Sequence, residues 1–263
     1  MKTASLLTIL ILSTLTLTSC TRPDNNASEG KSNNKILIAA ASDLKFALDS
    51  VIAIFRNDYP ENIIDVTYGS SGKLFEQIHH DAPFDLFFSA DIEYPRLLKL
   101  KGLCNSDVKI YGRGRLVIWS SRVDPNEQGI NTLSLKSIKK IAIANPRHAP
   151  YGKRAVEILE HYGLSDSIGY KIVYGENISQ AAQFVTTGAA DAGIIALSLA
   201  VSPMMQNAGK YYLIPESAHT PLDQGFVILN RADKNDLAAT FGKFILEEQA
   251  TSILRYYGFE KKQ

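Results

Sequence analysis

The stretch Ile36-Leu37-Ile38-Ala39-Ala40-Ala41-Ser42-Asp43-Leu44 decides how this chain is read. A short apolar strand, Ile36 to Ala39, runs into small residues and Ser42, after which Leu44, Leu48, Val51, Ile52 and Phe55 recur at helical spacing. The pattern puts Ser42 at a helix N-cap. The first backbone N–H groups of a helix have no partner inside it, and the aligned peptide dipoles place about half a positive charge there, so such a start is a seat for an anion. Most Ser residues before helices only cap them. The weight therefore rests on whether the junction recurs.

It recurs three times. Ile63 to Tyr68 is a β-branched run that leads through Gly69-Ser70-Ser71-Gly72-Lys73 into a helix with Leu74, Phe75 and Ile78 on its apolar face. Two enzyme motifs fail there on spacing. A phosphate-binding P-loop needs Gly where Thr67 stands and Ser or Thr where Leu74 stands, and a nucleophile elbow around Ser71 needs Gly on both flanks, where Gly69 is matched by Lys73. The third junction runs from a strand at Ile138 to Ala144 through the loop Asn145 to Lys153 into a helix carrying Ala155, Val156, Ile158 and Leu159. The fourth is Ile172-Val173-Tyr174-Gly175-Glu176-Asn177-Ile178-Ser179, leading into a helix that ends near Gly188.

Between and after these junctions, strands are predicted at Phe84 to Asp91, Leu116 to Trp119, Ala190 to Ile195, Leu213-Ile214 and Gly225 to Leu229, with a helix from Pro95 to Leu100. Tyr111-Gly112-Arg113-Gly114-Arg115 reads as a connection crossing between two lobes, and the stretch after Ile214 as the return crossing. One amphipathic helix is expected from Leu237 to Leu254, with Tyr256, Tyr257 and Phe259 packing on the first lobe. Strands alternating with helices give an α/β class with mainly parallel sheets. Ligands of such sheets bind at the carboxyl ends of the strands. The expected lobes are 36–112 with 221–263, and 113–220, so that the junctions face one another across a cleft.

With 263 residues, the chain has room for two domains of moderate size, and a formal net charge of +1 that includes Lys2 leaves no basic surface for nucleic acid. Lys2 followed by the apolar run Leu6 to Leu17 is too short to remain in a membrane, so residues 1–19 read as an export signal. Leu17-Thr18-Ser19-Cys20 resembles the lipobox of bacterial lipoproteins, in which the Cys becomes the lipidated first residue. A plain secretory signal is the alternative. Residues 20–35 then form a polar tether to the anchor, and Cys104 is a lone thiol.

The remaining candidates have ordinary readings. His79, His80, His148, His161 and His219 lack metal-ligand spacing. Lys73 and Lys153 each follow a Gly at a helix start and draw an anion at long range or are simply solvated. Asp85 and Asp91 flank a strand and are assigned to capping and lobe contacts.

Taken together, Ala-Ala-Ala-Ser-Asp-Leu (39–44), Gly-Ser-Ser-Gly-Lys-Leu (69–74), Asp-Leu-Phe-Phe-Ser-Ala-Asp (85–91), Ala-Asn-Pro-Arg-His-Ala-Pro-Tyr-Gly (144–152), Gly-Glu-Asn-Ile-Ser-Gln-Ala (175–181) and Gly-Ala-Ala-Asp-Ala-Gly (188–193) resemble the molybdate-binding proteins of bacterial ABC transporters. The resemblance covers residues 36 to 259 and implies a two-lobe periplasmic-binding-protein-like fold hinged on two crossing segments. It implies that the oxyanion is held by hydroxyl and backbone N–H of Ser42 and Ser71 and by the backbone N–H groups of Tyr151 and Ile178, with no cation and no cofactor. A Tyr hydroxyl that some members add falls on Ala196 here, so that contact is missing or supplied by water. Where the family commonly has an uncharged residue this chain has Asp43, which is expected to point outward, away from the dianion. A donor-only site accepts molybdate, tungstate or sulfate and rejects hydrogen phosphate, whose proton needs an acceptor.

The expected function is therefore capture of molybdate or tungstate outside the cytoplasm and delivery to an ABC permease, by a monomer tied to the membrane only through Cys20. Sulfate or phosphate is an alternative ligand. A hydrolase using Ser71 with Lys73 is the alternative class, opposed by the lack of a recognisable activating base.

Overall fold

The computed structural model describes residues 34–261. The export signal, Cys20 and most of the proposed tether lie outside the described residues. Lys35, assigned to the tether, is the first residue of a strand.

Ten strands are present among the described residues: β1 (Lys35–Ala41), β2 (Ile63–Gly69), β3 (Leu86–Ser89), β4 (Lys109–Gly114), β5 (Leu116–Ser120), β6 (Ile141–Ala144), β7 (Ile172–Gly175), β8 (Ala192–Ala196), β9 (Lys210–Leu213) and β10 (Leu222–Ile228). The helices are α1 (Lys45–Asp58), α2 (Ser71–His79), α3 (Glu93–Leu100), α4 (Pro125–Gln128), α5 (Pro150–His161), α6 (Ser165–Ile168), α7 (Ile178–Thr186), α8 (Leu197–Ala200), α9 (Asp236–Phe244) and α10 (Glu248–Tyr256). They build two five-stranded sheets, ordered β2-β1-β3-β10-β4 and β7-β6-β8-β5-β9. Each forms the centre of one lobe.

Both sheets repeat one plan. β1 pairs in parallel with β2 on one side and β3 on the other, and β6 does the same with β7 and β8. Leaving β1 the chain must cross over one face of the sheet to reach β2 and the other face to reach β3, so α1 and α2 diverge and a crevice opens at the strand ends. The parallel core is widened in each lobe by antiparallel strands, β10 and β4 in one, β5 and β9 in the other, so the sheets are mixed.

The period-2 pattern of the strands explains why both faces are covered. Ile36, Ile38 and Ala40 of β1, with Leu86 and Phe88 of β3, join Leu48, Phe55, Phe241 and Leu254 in one core, while Ala39 and Phe87 on the opposite face meet Leu74, Ile78 and Leu98 of α2 and α3. In the second lobe Val117, Trp119, Ile143 and Ile194 anchor a core of their own.

Three expectations need correction. Tyr111 to Gly114 is not a connection but most of β4, paired antiparallel with β10; glycines and charges obscured it, yet Gly114 is needed because a Cβ there would collide with the Tyr151 hydroxyl and the Gln224 amide. Only Arg115 separates β4 from β5, and the return lies between Leu213 and Leu222. The last helix is two helices: buried positions fall at Phe241, Phe244 and Ile245 and then at Ala250 and Leu254, and the five-residue step from 245 to 250 breaks the helical phase, which the chain absorbs in an extended Glu247. Tyr257 and Phe259 are buried in the first lobe, whereas Tyr256 is exposed.

Candidate functional site

The four junctions converge. Ser42, Ser71, Tyr151 and Ile178 line one cavity, together with Asp43, Ser70, Ala90 and Pro150. A wider groove between β4 and α10, lined by Ile110, Leu254, Arg255 and Phe259, contains none of the four.

Each residue stands at a helix start. Ser71 and Ile178 are the first residues of α2 and α7, and Tyr151 is the second of α5, after Pro150. None of these three backbone N–H groups has a partner within its own helix. Ser42 differs from expectation: it is not a cap but opens a three-residue 3-10 turn, Ser42–Leu44, that leads into α1, and its side chain makes no capping bond to its own helix. That leaves the hydroxyl available.

The hydroxyl protons are directed by what each oxygen accepts. Ser71 Oγ accepts the buried Ala90 N–H at 3.0 Å, and Ser42 Oγ accepts Ser179 N–H at 3.4 Å. With a lone pair on each oxygen occupied by a fixed donor, the O–H remains to be given to something else. Nothing basic competes for it: Lys73 is paired with Glu176, and no His, Lys or carboxylate among the described residues bonds to Ser71 Oγ. Lys153 lies over the Tyr94 ring, 5.7 Å from its centre.

Contacts between the lobes surround the cavity. The His148 carbonyl accepts from Ser70 Oγ at 2.7 Å and from Gly72 N–H at 2.9 Å. Ser179 Oγ donates to the Ser42 carbonyl and Ser198 Oγ to the Asp43 carbonyl, both at 2.8 Å. His148 Nε2 stands 2.9 Å from the Glu176 carbonyl. Burial lowers the His148 pKa, with Glu176 opposing and Lys73 and Arg147 adding to the fall, so it is neutral at ordinary pH. The expected capping and contact roles are taken by Asp85, which accepts Leu37 N–H, and by Asp91, which accepts Glu93 N–H and faces Arg154 at 3.7 Å.

Asp43 overturns its expectation. It is 1% exposed, and instead of pointing outward its Oδ2 accepts the Tyr151 hydroxyl at 2.9 Å and Gln224 Nε2 at 2.8 Å. Gln224 also donates to the Tyr151 oxygen at 3.0 Å and accepts from Tyr111 at 2.6 Å. Burial pushes the Asp43 pKa up to about 6, against the lowering effect of Gln224, Tyr151 and the backbone N–H groups of Asp43 and Leu44. The reason is long-range: Asp43 lies in the tight turn that enters α1, and the Tyr151 hydroxyl and the Gln224 amide, from distant parts of the chain, hold its carboxyl in the interior. Ala196, at the end of β8, is buried but is not part of the cavity wall.

Sequence reasoning missed Gln224, Tyr111, Ser70, Ser179 and Ser198. Only Gln224 carried a signal, as a polar residue inside the otherwise buried strand β10. Among the described residues no group of three His, Cys, Asp or Glu is placed to hold a metal ion.

Comparison with known proteins bears on the chain and its fold. Residues 36–260 match the family model for bacterial extracellular solute-binding proteins. The molybdate-binding protein ModA of Azotobacter vinelandii is 30% identical over 226 residues, spanning 86% of this chain and 89% of its own. ModA of Rhodobacter capsulatus is 30% identical over 230 residues, spanning 86% and 88%. The solved structure of the Azotobacter vinelandii periplasmic molybdate-binding protein superposes with a TM-score of 0.80 at 28% identity, covering 87% of this chain and all of that one. The chain thus belongs to the bacterial extracellular solute-binding proteins, in the company of these molybdate-binding relatives.

Proposed function

We propose that this protein captures molybdate, and tungstate with it, between its lobes and delivers the oxyanion to an ABC permease. The observation that carries the reading is the meeting of four helix starts, at Ser42, Ser71, Tyr151 and Ile178, in one cavity without a cation. Four such termini at about half a charge each offset up to roughly two negative charges, an upper bound because each dipole acts over about one turn. The backbone N–H groups and the two directed Ser hydroxyls supply donors to a tetrahedral oxyanion. Both lobes donate to the same ligand only when closed, which gives the differential affinity that drives closure. The relatives named for molybdate extend the reading to the ligand.

The same proposal covers the rest of the chain. Lobe I comprises 36–114 and 222–263, lobe II 116–213, with Arg115 and the stretch 214–221 as the crossings, and the protein acts as a monomer without a cofactor, held outside the cytoplasm by a lipid on Cys20. A Cys20→Ala protein released from membranes into the soluble fraction supports the anchor; one that stays membrane-bound refutes it.

The test of the function is calorimetric titration of the full chain with molybdate, tungstate, sulfate and phosphate in phosphate-free buffer. One-to-one binding of the first two with little heat from the others is expected. A second reading, a protonated oxyanion such as hydrogen phosphate, is favoured by the inward carboxyl of Asp43, which is an acceptor when ionised. Tight phosphate binding with no response to molybdate would establish that reading in place of the first.

A further inference from the structure

The Asp43 carboxyl lines the cavity beside Ser42 but has no place in a set of donors. Only half of it is engaged: Oδ2 takes the Tyr151 hydroxyl and the Gln224 amide, while Oδ1 is buried with no hydrogen-bond partner. An ionised carboxylate oxygen left unpaired in the interior is costly.

Among the described residues no cation relieves it. Tyr151 from α5, Tyr111 from β4 and Gln224 from β10 face the carboxyl, and Ser198 from α8 bonds its backbone carbonyl. Burial drives both tyrosines well above their usual range, so they remain protonated. On these elements Arg113 is paired with Asp223 and Arg154 with Glu157 and Asp91, Lys153 lies over the Tyr94 ring, and on α1 Lys45 is paired with Asp49. Helix α7 brings Ser179 and no charged residue.

A dianion entering this cavity meets a like charge that no cation neutralises, and the repulsion disfavours the ionised carboxylate. A proton on Oδ1 removes the repulsion and turns the orphaned oxygen into an O–H donor like the rest of the lining, while Oδ2 keeps both of its donors. Resting on the oxyanion reading above, we infer that Asp43 is a proton-carrying specificity residue: capture of a fully deprotonated dianion takes one proton from solvent onto Oδ1, which donates it to a ligand oxygen. No bond of the ligand breaks, and the complex is one unit less negative than it would be with Asp43 ionised. Hydrogen phosphate brings its own proton and needs no uptake, because ionised Oδ1 accepts it directly.

The linkage has a definite sign. Burial in the closed form raises the carboxyl to about 6, so in the ligand-free protein it titrates no higher than that and is mostly ionised at neutral pH, and the bound dianion raises it further. Affinity for molybdate is therefore level below the pKa of the ligand-free carboxyl and falls about tenfold per pH unit above it, until the pKa of the complex is passed.

Titration of the full chain with sodium molybdate, in buffers of differing ionisation heat between about pH 6 and 8.5, reads the proton count and the slope together. Uptake approaching one proton near pH 8, with an Asp43→Asn protein binding at a pH-independent affinity and taking up none, is the expected result. Binding with no proton uptake and a flat profile in the wild type overturns this inference alone, and so does an Asp43→Asn protein that keeps the wild-type slope. Absence of molybdate binding at every pH overturns the oxyanion reading and this inference with it. The wild-type proton count stands even if the variant fails to fold.

Discussion

Gly72→Ala separates lobe closure from the stability of either lobe. Gly72 is the second residue of α2, with a backbone that an Ala adopts without strain, so the substitution alone is worth a gain of up to about 1 kcal/mol through the unfolded chain. In the closed form the added Cβ would lie 2.6 Å from the His148 carbonyl oxygen, 2.9 Å from the Tyr94 hydroxyl and 3.0 Å from His148 Cα. The Tyr94 tip can swing aside; the His148 backbone belongs to the opposite lobe and must retreat. Retreat stretches the bonds from Gly72 N–H and Ser70 Oγ, now 2.9 and 2.7 Å, which are worth about 1 kcal/mol each, and overpacking adds about 1–3. The closed form thus loses roughly 3–5 kcal/mol, a dissociation constant raised by about two to three and a half orders of magnitude. Calorimetric titration with molybdate measures it. Lys73→Ala is the control: it removes an exposed ion pair to Glu176 across the same seam and costs at most about 1 kcal/mol. A Gly72→Ala protein that binds within about twofold of wild type would refute the reasoning, because the Ser70–Gly72 turn would then not be part of the closed seam.

Ser42→Ala with Ser71→Ala removes two donors to a charged ligand at roughly 1.5–3 kcal/mol each, so the double variant binds about two to four orders of magnitude more weakly, as titration will read. Ser71→Ala alone also strands the buried Ala90 N–H and lowers thermal stability by about 1–3 kcal/mol, seen as a larger shift in melting temperature than that of Ser42→Ala, which frees only the part-buried Ser179 N–H bonded at 3.4 Å. Asp43→Asn changes stability with pH. The Asp43 pKa is raised on folding from 3.8 to about 6, so its contribution is fully present below about pH 4 and lost as pH rises through 6, a swing of about 3 kcal/mol. Ligand-free unfolding curves of the Asn variant should lack that decline between about pH 4 and 6.5, and an unchanged pH profile would exclude Asp43 as its source.

The parts of this architecture that were legible in sequence share one property: they are local. A strand, a small-residue turn and a 3.6-residue apolar repeat lie within about twenty positions of one another at each junction, so Ser42, Ser71, Tyr151 and Ile178 can be found without knowing what packs on what. The network around Asp43 is not local. Gln224 lies 181 positions from Asp43, and Tyr151 lies 108 away. A rule about charge beside a dianion, applied to Asp43 in isolation, sends it outward; the donors that hold it inward arrive from two other elements, α5 and β10. Strand β4 was lost for a related reason. Its glycines have no propensity for a strand, and they are required by Tyr151, Gln224 and Phe259, which approach from elsewhere in the chain.

The placement of Gln224 ties the cavity to the hinge. It sits in β10, the first strand after the return crossing, and β10 is paired with β4, the last strand before the outward crossing. From there its amide holds Asp43 of one lobe and Tyr151 of the other, and its carbonyl is held by Tyr111 of β4. A rotation of the lobes about the two crossings must pull the Tyr151 hydroxyl away from Asp43, while Gln224 and Asp43, both carried by the first sheet, stay together. Opening thus removes one donor from Asp43 and admits water to it. Water relieves the burial that raises the Asp43 pKa, so the open form has the more acidic carboxyl and the closed form the more basic one. Closure and protonation therefore favour each other even before a ligand adds its charge. The hinge strands, the turn at Ser42 and the helix start at Tyr151 act as one unit because a single buried carboxylate is shared among them.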